Sequence, residues 1–139
     1  MEIKRDVTVV IRSVGERTAE VCTAIAEDIF GKKQVIIVEN CYPFYKAIQK
    51  SFEEGVYLGR KWTLVIDADI LISREGTEAF INACNSYIVK HKKAFTFSSF
   101  CYDKFFLDYR VGGIHLYQTR YLKKALKYIE QSADQLRPE

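Results

Sequence analysis

The stretch TLVIDADILI, residues 63–72, decides how the chain is read. Val65, Ile66, Ile70, Leu71 and Ile72 favour burial, yet Asp67 and Asp69, with one residue between them, interrupt the run. A carboxylate removed from water without a partner costs several kcal/mol, roughly, or takes up a proton. An apolar strand that ends on two acids therefore points to a polar site just beyond its carboxyl end. In extended backbone, residues i and i+2 point the same way, so both carboxylates are expected to aim at one place. A hard divalent cation there, Mg²⁺ or Mn²⁺, would keep both charged and still accept water and phosphate oxygens. Two carboxylates alone repel a diphosphate, so diphosphate binding at such a site is expected to need the metal. The bland alternative is that the two acids simply meet solvent.

Working outward, the chain alternates strand and helix signals. Residues 7–11 and 34–38 are short apolar runs like 62–66, and each reads as a strand. Between the first two, Cys22, Ile25, Ala26 and Ile29 recur at helical spacing after a candidate N-cap at Thr18 and before Gly31. Residues 44–54 read as a helix ending at Gly55. Phe80, Cys84, Tyr87 and Ile88 mark a third helix, begun at Thr77. Residues 94–98 and 113–117 read as further strands, 101–110 as an irregular aromatic segment, and Leu122, Ala125, Leu126 and Ile129 as a last helix.

This order predicts an α/β fold, a mostly parallel sheet flanked by helices on both faces. With no repeat or linker, residues 1–139 are expected to form a single domain. In such sheets ligands bind at the carboxyl edge of the strands. Three polar loops are expected to meet there: 12–17, 39–40 and 67–69.

Bulk properties narrow the class. A chain of 139 residues, 48% apolar and 28% charged, has the make-up of a soluble globular protein. Its net charge of +3 comes without a basic stripe, which argues against a dedicated nucleic-acid binder and leaves room for a small anionic ligand. No apolar run approaches the ~20 residues of a membrane span, and none near the start has signal-peptide length. A cytoplasmic location is expected, with peripheral membrane contact left open. Cys22, Cys41, Cys84 and Cys101 form no CxxC pair, and His91 and His115 are the only histidines, so no zinc site is expected. The cysteines are read as small, reduced, buried residues.

Three segments together resemble the nucleotide-sugar-binding half of the GT-A fold glycosyltransferases, the family 2 group in particular. VTVVIRSVGERT resembles that family's opening strand and uridine-binding loop. QVIIVENC resembles its second strand, which ends in an acid facing the base or ribose. GRKWTLVIDADILI resembles its DxD strand, including the glycine and basic residue upstream. The resemblance spans residues 7–73. It departs from the family at Arg12-Ser13, where Pro-Thr is usual, and at Glu39-Asn40, where an acidic pair is usual.

The resemblance implies a Rossmann-like GT-A fold, compact or truncated. It implies metal-dependent transfer of a sugar from a nucleotide diphosphate, most often UDP, to an acceptor hydroxyl. Ser13, Gly15, Glu16 and Arg17 would line the nucleotide, with Arg12 as a further local cation. Glu39 would bond the base or ribose, Asp67 would approach ribose and metal-bound water, and Asp69 would ligate the metal. The metal would stabilise the departing diphosphate as a Lewis acid. On the acceptor side, FCYDKFFLDYRVGG offers Asp103 and Asp108 as candidate bases. Tyr102, Phe105, Phe106 and Tyr109 could stack on a sugar, although an aromatic cluster is more simply read as core. His115 is a candidate third metal ligand, or a strand histidine satisfied by a neighbour.

Two other functions compete. One is a non-catalytic nucleotide-sugar-binding domain, or a fragment that needs a second copy or a partner subunit to complete the acceptor site. The other is a phosphotransferase of the haloacid dehalogenase type. That family carries its DxD near the start with a threonine two residues on, and Leu71 stands there in this chain.

Overall fold

Seven consecutive buried residues, VTVVIRS, make β1 (Val7–Ser13) the centre of the architecture. The structure, a computed structural model, describes residues 3–131. Around β1 lie β2 (Val35–Glu39), β3 (Trp62–Asp67), β4 (Thr96–Asp103) and β5 (Asp108–Gln118). The helices are a short α1 (Ile3–Asp6), then α2 (Ala19–Phe30), α3 (Phe44–Leu58), α4 (Arg74–Lys90) and α5 (Leu122–Gln131). The strand order is β2-β1-β3-β5-β4. β1 runs parallel to β2 and to β3, as the sequence implies.

The other half corrects the expectation of a mostly parallel sheet. β5 pairs antiparallel with both β3 and β4, so the sheet is mixed. The cause is local. Residues 101–110, read as irregular, form the end of a hairpin joined by residues 104–107. A connection that short can only link antiparallel strands. Asp103 Oδ1 accepts from the Phe105 and Phe106 N–H groups at 2.9 and 3.4 Å, and Leu107 takes a positive φ of 52°.

Alternation along the strands sorts the core into two faces. Val7, Val9 and Ile11 of β1, with Trp62, Leu64 and Ile66 of β3, pack on Cys22, Ala26 and Ile29 of α2 and on Ile81 and Cys84 of α4. Val10, Val38 and Val65 face the other way, with Cys41 and Tyr117 against them. There Phe52 of α3 meets Tyr117 edge-on, ring centroids 4.8 Å apart. The sheet is thus covered by α2 and α4 on one face and by α3 with α5 on the other. Among the described residues, no helix is long and apolar enough to cross a membrane.

Several helix ends differ from the sequence reading. α3 runs through Gly55 and stops before Gly59, which adopts the left-handed φ of 63°. Gly55 is there for space: a Cβ on it would lie 2.5 Å from Thr63 Oγ1 and 2.9 Å from Leu122 Cδ1. α4 starts at Arg74, capped by Ser73 Oγ accepting from Gly76 N, rather than at Thr77. Thr18 makes no side-chain cap; its hydroxyl donates to the Ala68 carbonyl at 2.7 Å and ties α2 to the turn after β3. Cys22 and Cys84 are buried, but Cys41 and Cys101 are only half-buried; all four are free thiols.

The aromatic cluster is the clearest departure. Tyr102, Phe105, Phe106 and Tyr109 are 51%, 92%, 76% and 68% exposed, not core. β3 pairs with β5 only at residues 114–118, so the outer part of the β4–β5 hairpin extends past the strand that would support it.

Candidate functional site at the carboxyl edge

The three loops do meet. A cleft of about 470 Å³ is lined by Arg12 and Ser13 at the end of β1 and Glu16 in the loop beyond, by Val38, Cys41 and Phe44 around the β2–α3 loop, and by Asp67 at the end of β3 and Asp69 in the turn after it. Backbone bonds fix the convergence: Asn40 N donates to Ser13 O at 2.9 Å, and Ala68 N donates to Arg12 O at 3.0 Å. Asn40 carries φ 53°, a conformation asparagine tolerates better than most residues.

The two aspartates arrive by different routes from the one expected. β3 ends at Asp67, and a turn follows in which Ile70 N donates to Asp67 O at 3.0 Å. The backbone is therefore not extended from 67 to 69, and the argument from alternating side chains fails. Asp67 stands on the α3 face of the sheet, in register with Arg12 on β1. Asp69 sits exposed on the turn and makes no hydrogen bond or ion pair with the described residues. Both still border the same cleft.

Arg12 is paired with Asp67. Its Nη2 and Nε approach Asp67 Oδ1 at 2.9 and 3.1 Å, and its side chain is only 9% exposed while that of Asp67 is 38% exposed. The guanidinium also lies over the Phe44 ring, 5.1 Å from the centroid. Arg12 is thus a buried strand residue, not a solvated loop charge. Glu16 closes the first loop: its Oε1 accepts from Val14 N and, at 3.4 Å, from Ser13 Oγ, which itself accepts from Gly15 N at 3.2 Å. The thiol of Cys22 beneath is pushed up to about 11, mainly by burial and further by the carboxylates of Asp69, Glu16 and Asp67. The acids of this edge are close enough to act on one group.

Gly15, Arg17 and Glu39 do not line the cleft. Arg17 and Glu39 are exposed, although Glu39 stands across the ladder from Ser13. The sequence reading missed Tyr42 and Phe44. The available signal was an aromatic pair flanking Pro43 directly after the second strand.

His115 shares the α3 face, opposite Val65, and its Nδ1 lies 2.9 Å from Ser98 Oγ. Among the described residues no three His, Cys, Asp or Glu side chains are grouped to hold a metal, so His115 does not complete a three-ligand set. The donors that remain are Asp69 and Oδ2 of Asp67. Two carboxylates suit an ion of the Mg²⁺ type, which keeps several waters and takes substrate phosphate oxygens besides.

Burial, then the nearby Arg12, lower the pKa of His115 below its ordinary 6.5, with Asp67 pulling the other way. A depressed value favours the neutral ring in the folded protein. Its contribution to stability is therefore complete above pH 6.5 and is lost as pH falls through the lower folded value. Thermal unfolding between pH 7.5 and 5 (roughly the range in which histidine titrates) is expected to show a steeper acid loss in wild type than in His115→Asn. Parallel curves would remove this role for His115.

A second cleft, about 700 Å³, lies beneath the hairpin, lined by Asp69, Ser73, Thr77, Phe80, Tyr102, Asp103 and Arg110 among others. Asp103 is committed there: its Oδ2 meets Arg110 Nε at 2.7 Å, and its Oδ1 holds the turn. Asp108 accepts from Tyr109 N at 2.7 Å and is exposed outside the cleft lining.

No protein-family model matches the chain, and no curated protein matches it in sequence. Among solved structures, the fold is similar to that of A197 from STIV, with a TM-score of 0.56 and 14% identity, over 85% of this chain and 67% of that one. At that identity the likeness shows the fold alone: an α/β arrangement with a mixed five-stranded sheet flanked by helices, compatible with a Rossmann-like fold.

Proposed function

We propose that the chain binds a nucleoside-diphosphate sugar, a UDP-sugar in the first instance, in the cleft between Arg12, Phe44 and Asp67, and that it transfers the sugar to an acceptor hydroxyl. The observation that carries this reading is Asp69, which borders both this cleft and the one under the hairpin. A donor in the first and an acceptor in the second would meet at that residue. In the transfer, the bond from the anomeric carbon to the diphosphate oxygen breaks and its electron pair leaves with the diphosphate. The acceptor oxygen forms the new bond and gives up its proton to a carboxylate or to water.

Each side chain has a physical role in this scheme. Phe44 and Tyr42 offer flat apolar surface beside a base. Arg12 offers a fixed cation to the diphosphate, and the closed 13–16 loop keeps its backbone N–H groups ordered at the cleft mouth. Asp69 and Oδ2 of Asp67 would hold a divalent cation, which supplies Lewis-acid stabilisation of the leaving group when bound.

A second reading has one observation in its favour. Asp103 is tied into a turn and an ion pair, and Asp108 lies outside the cleft lining, so neither is poised as a base. A module that binds the nucleotide sugar and needs a partner to complete the acceptor side would look the same. Incubation with a set of nucleotide sugars, Mn²⁺ and candidate acceptors, followed by assay of released nucleoside diphosphate, separates the two. Release that is lost in Asp69→Asn supports transfer. Nucleotide-sugar binding without any release supports the binding module, and no binding of any nucleotide sugar would overturn both.

A further inference from the structure

We propose that Arg12 competes with divalent cations for Asp67, so that the site carries its own cation and takes up a metal ion alone only weakly. The proposal rests on the nucleotide reading above for its consequence, though not for its geometry.

Three observations bear on it. Both contacting guanidinium nitrogens converge on a single oxygen, Asp67 Oδ1, at 2.9 and 3.1 Å. The position is enforced rather than chosen by a flexible surface side chain. Arg12 and Asp67 are register partners on adjacent parallel strands, the Arg12 side chain is 9% exposed, and Phe44 covers the guanidinium. Finally, nothing else nearby replaces what the arginine occupies: no three-ligand group is present among the described residues, and of the other acids lining this cleft Glu16 is held by Val14 N and Ser13 Oγ, which leaves Asp69.

The electrostatics follow from these placements. A permanent positive charge about 3 Å from one ligand oxygen repels a dication at the other oxygen of the same carboxylate, and it withdraws part of that carboxylate's charge. A metal ion alone therefore meets one free acid and one half-used acid. A diphosphate meets the opposite situation, because Arg12 partly cancels the acids that would repel it. The arginine thus moves part of the diphosphate-binding energy from the metal to the protein. Arginine, always charged and able to donate several bonds at once, can turn some of its N–H groups to the diphosphate without leaving Asp67.

The test is calorimetric titration of wild type, Arg12→Gln and Arg12→Lys. Two titrants are used separately: MnCl₂ alone, and UDP in the presence of chelator. Removing one unit charge from beside a dication is expected to tighten Mn²⁺ binding by Arg12→Gln about tenfold. UDP binding under chelator is expected to weaken by a similar factor, about tenfold. Arg12→Lys keeps the charge but makes a single point contact, so its Mn²⁺ affinity should stay near that of wild type. Mn²⁺ affinity that is unchanged or weaker in Arg12→Gln overturns the competition. If Mn²⁺ tightens while UDP binds none of the proteins, the competition stands and the nucleotide reading fails. If wild type binds UDP only when Mn²⁺ is added, Arg12 does not serve as the built-in cation and that consequence is overturned.

Discussion

Asp67→Asn is expected to cost about 2 kcal/mol of folding stability, while Asp69→Asn stays within about 0.5 kcal/mol of wild type. The two acids are two residues apart and chemically identical, so the difference is entirely one of placement. Asp67 is the partner of a guanidinium that is only 9% exposed. Neutralising it leaves a nearly buried positive charge without compensation, which for a fully buried pair costs ~3–5 kcal/mol. The figure is reduced because the Asp67 side is 38% exposed and an asparagine oxygen still accepts one bond from Arg12. Asp69 has no such partner and lies on an exposed turn, so the charge can go without structural loss. In function the difference disappears: both substitutions are expected to abolish release of nucleoside diphosphate. Urea unfolding of the two variants checks the first half, and equal destabilisation by both would contradict the placement.

Trp62→Ala is expected to be the larger stability loss, about 3–5 kcal/mol. Trp62 is fully buried at the start of β3, between Val7 on β1 and Gln118 on β5. Its ring meets Phe97 edge-on at 6.1 Å, and its Nε1 donates to Asn85 Oδ1 at 3.0 Å. Alanine removes the transfer energy of the ring and leaves a cavity that β-strands on both sides cannot close. Because the strand it anchors ends at Asp67, the variant is expected to lose nucleotide binding as it loses cooperativity. Trp62→Phe keeps most of the volume and is expected to cost about 1–2 kcal/mol. Denaturant unfolding measures both. A loss below about 1 kcal/mol for the alanine variant would mean Trp62 is not core.

The parallel half of the fold was legible because its signals are local. Expected strands at 7–11, 34–38 and 62–66 became Val7–Ser13, Val35–Glu39 and Trp62–Asp67, with the loops on one edge. β-branched runs separated by helix-length segments leave little choice of topology. The antiparallel half was not legible. Residues 113–117 read as a strand, but periodicity gives no direction. The turn that sets it has no glycine or proline, relying on the Asp103 side chain and a left-handed Leu107. Its aromatics were read as core because apolar character in sequence does not reveal that β3 stops short of the hairpin.

The convergence of the three loops was legible; the contacts within the cleft were not. Ser13, Glu16, Asp67 and Asp69 reach one cleft as expected. The pairing of Arg12 with Asp67 could not be read, since it depends on the register of β1 against β3, a tertiary fact. Without register, an arginine at a strand end looks like an ordinary solvated charge.

The central claim is that a nucleoside diphosphate binds at the carboxyl edge of β1, β2 and β3. A basic cleft on the same molecule offers a rival place for an anion: Arg60, Lys61, Lys92, Arg120 and Lys123 line it at the other end of the strands, with no acid in its lining. Backbone amide chemical-shift mapping during a UDP titration tells them apart. The account predicts saturable shifts concentrated at residues 12–16, 39–44 and 67–69, with the amides of Lys61, Lys92 and Arg120 unmoved. Shifts confined to the basic cleft, or none that saturate at the carboxyl edge, would contradict it.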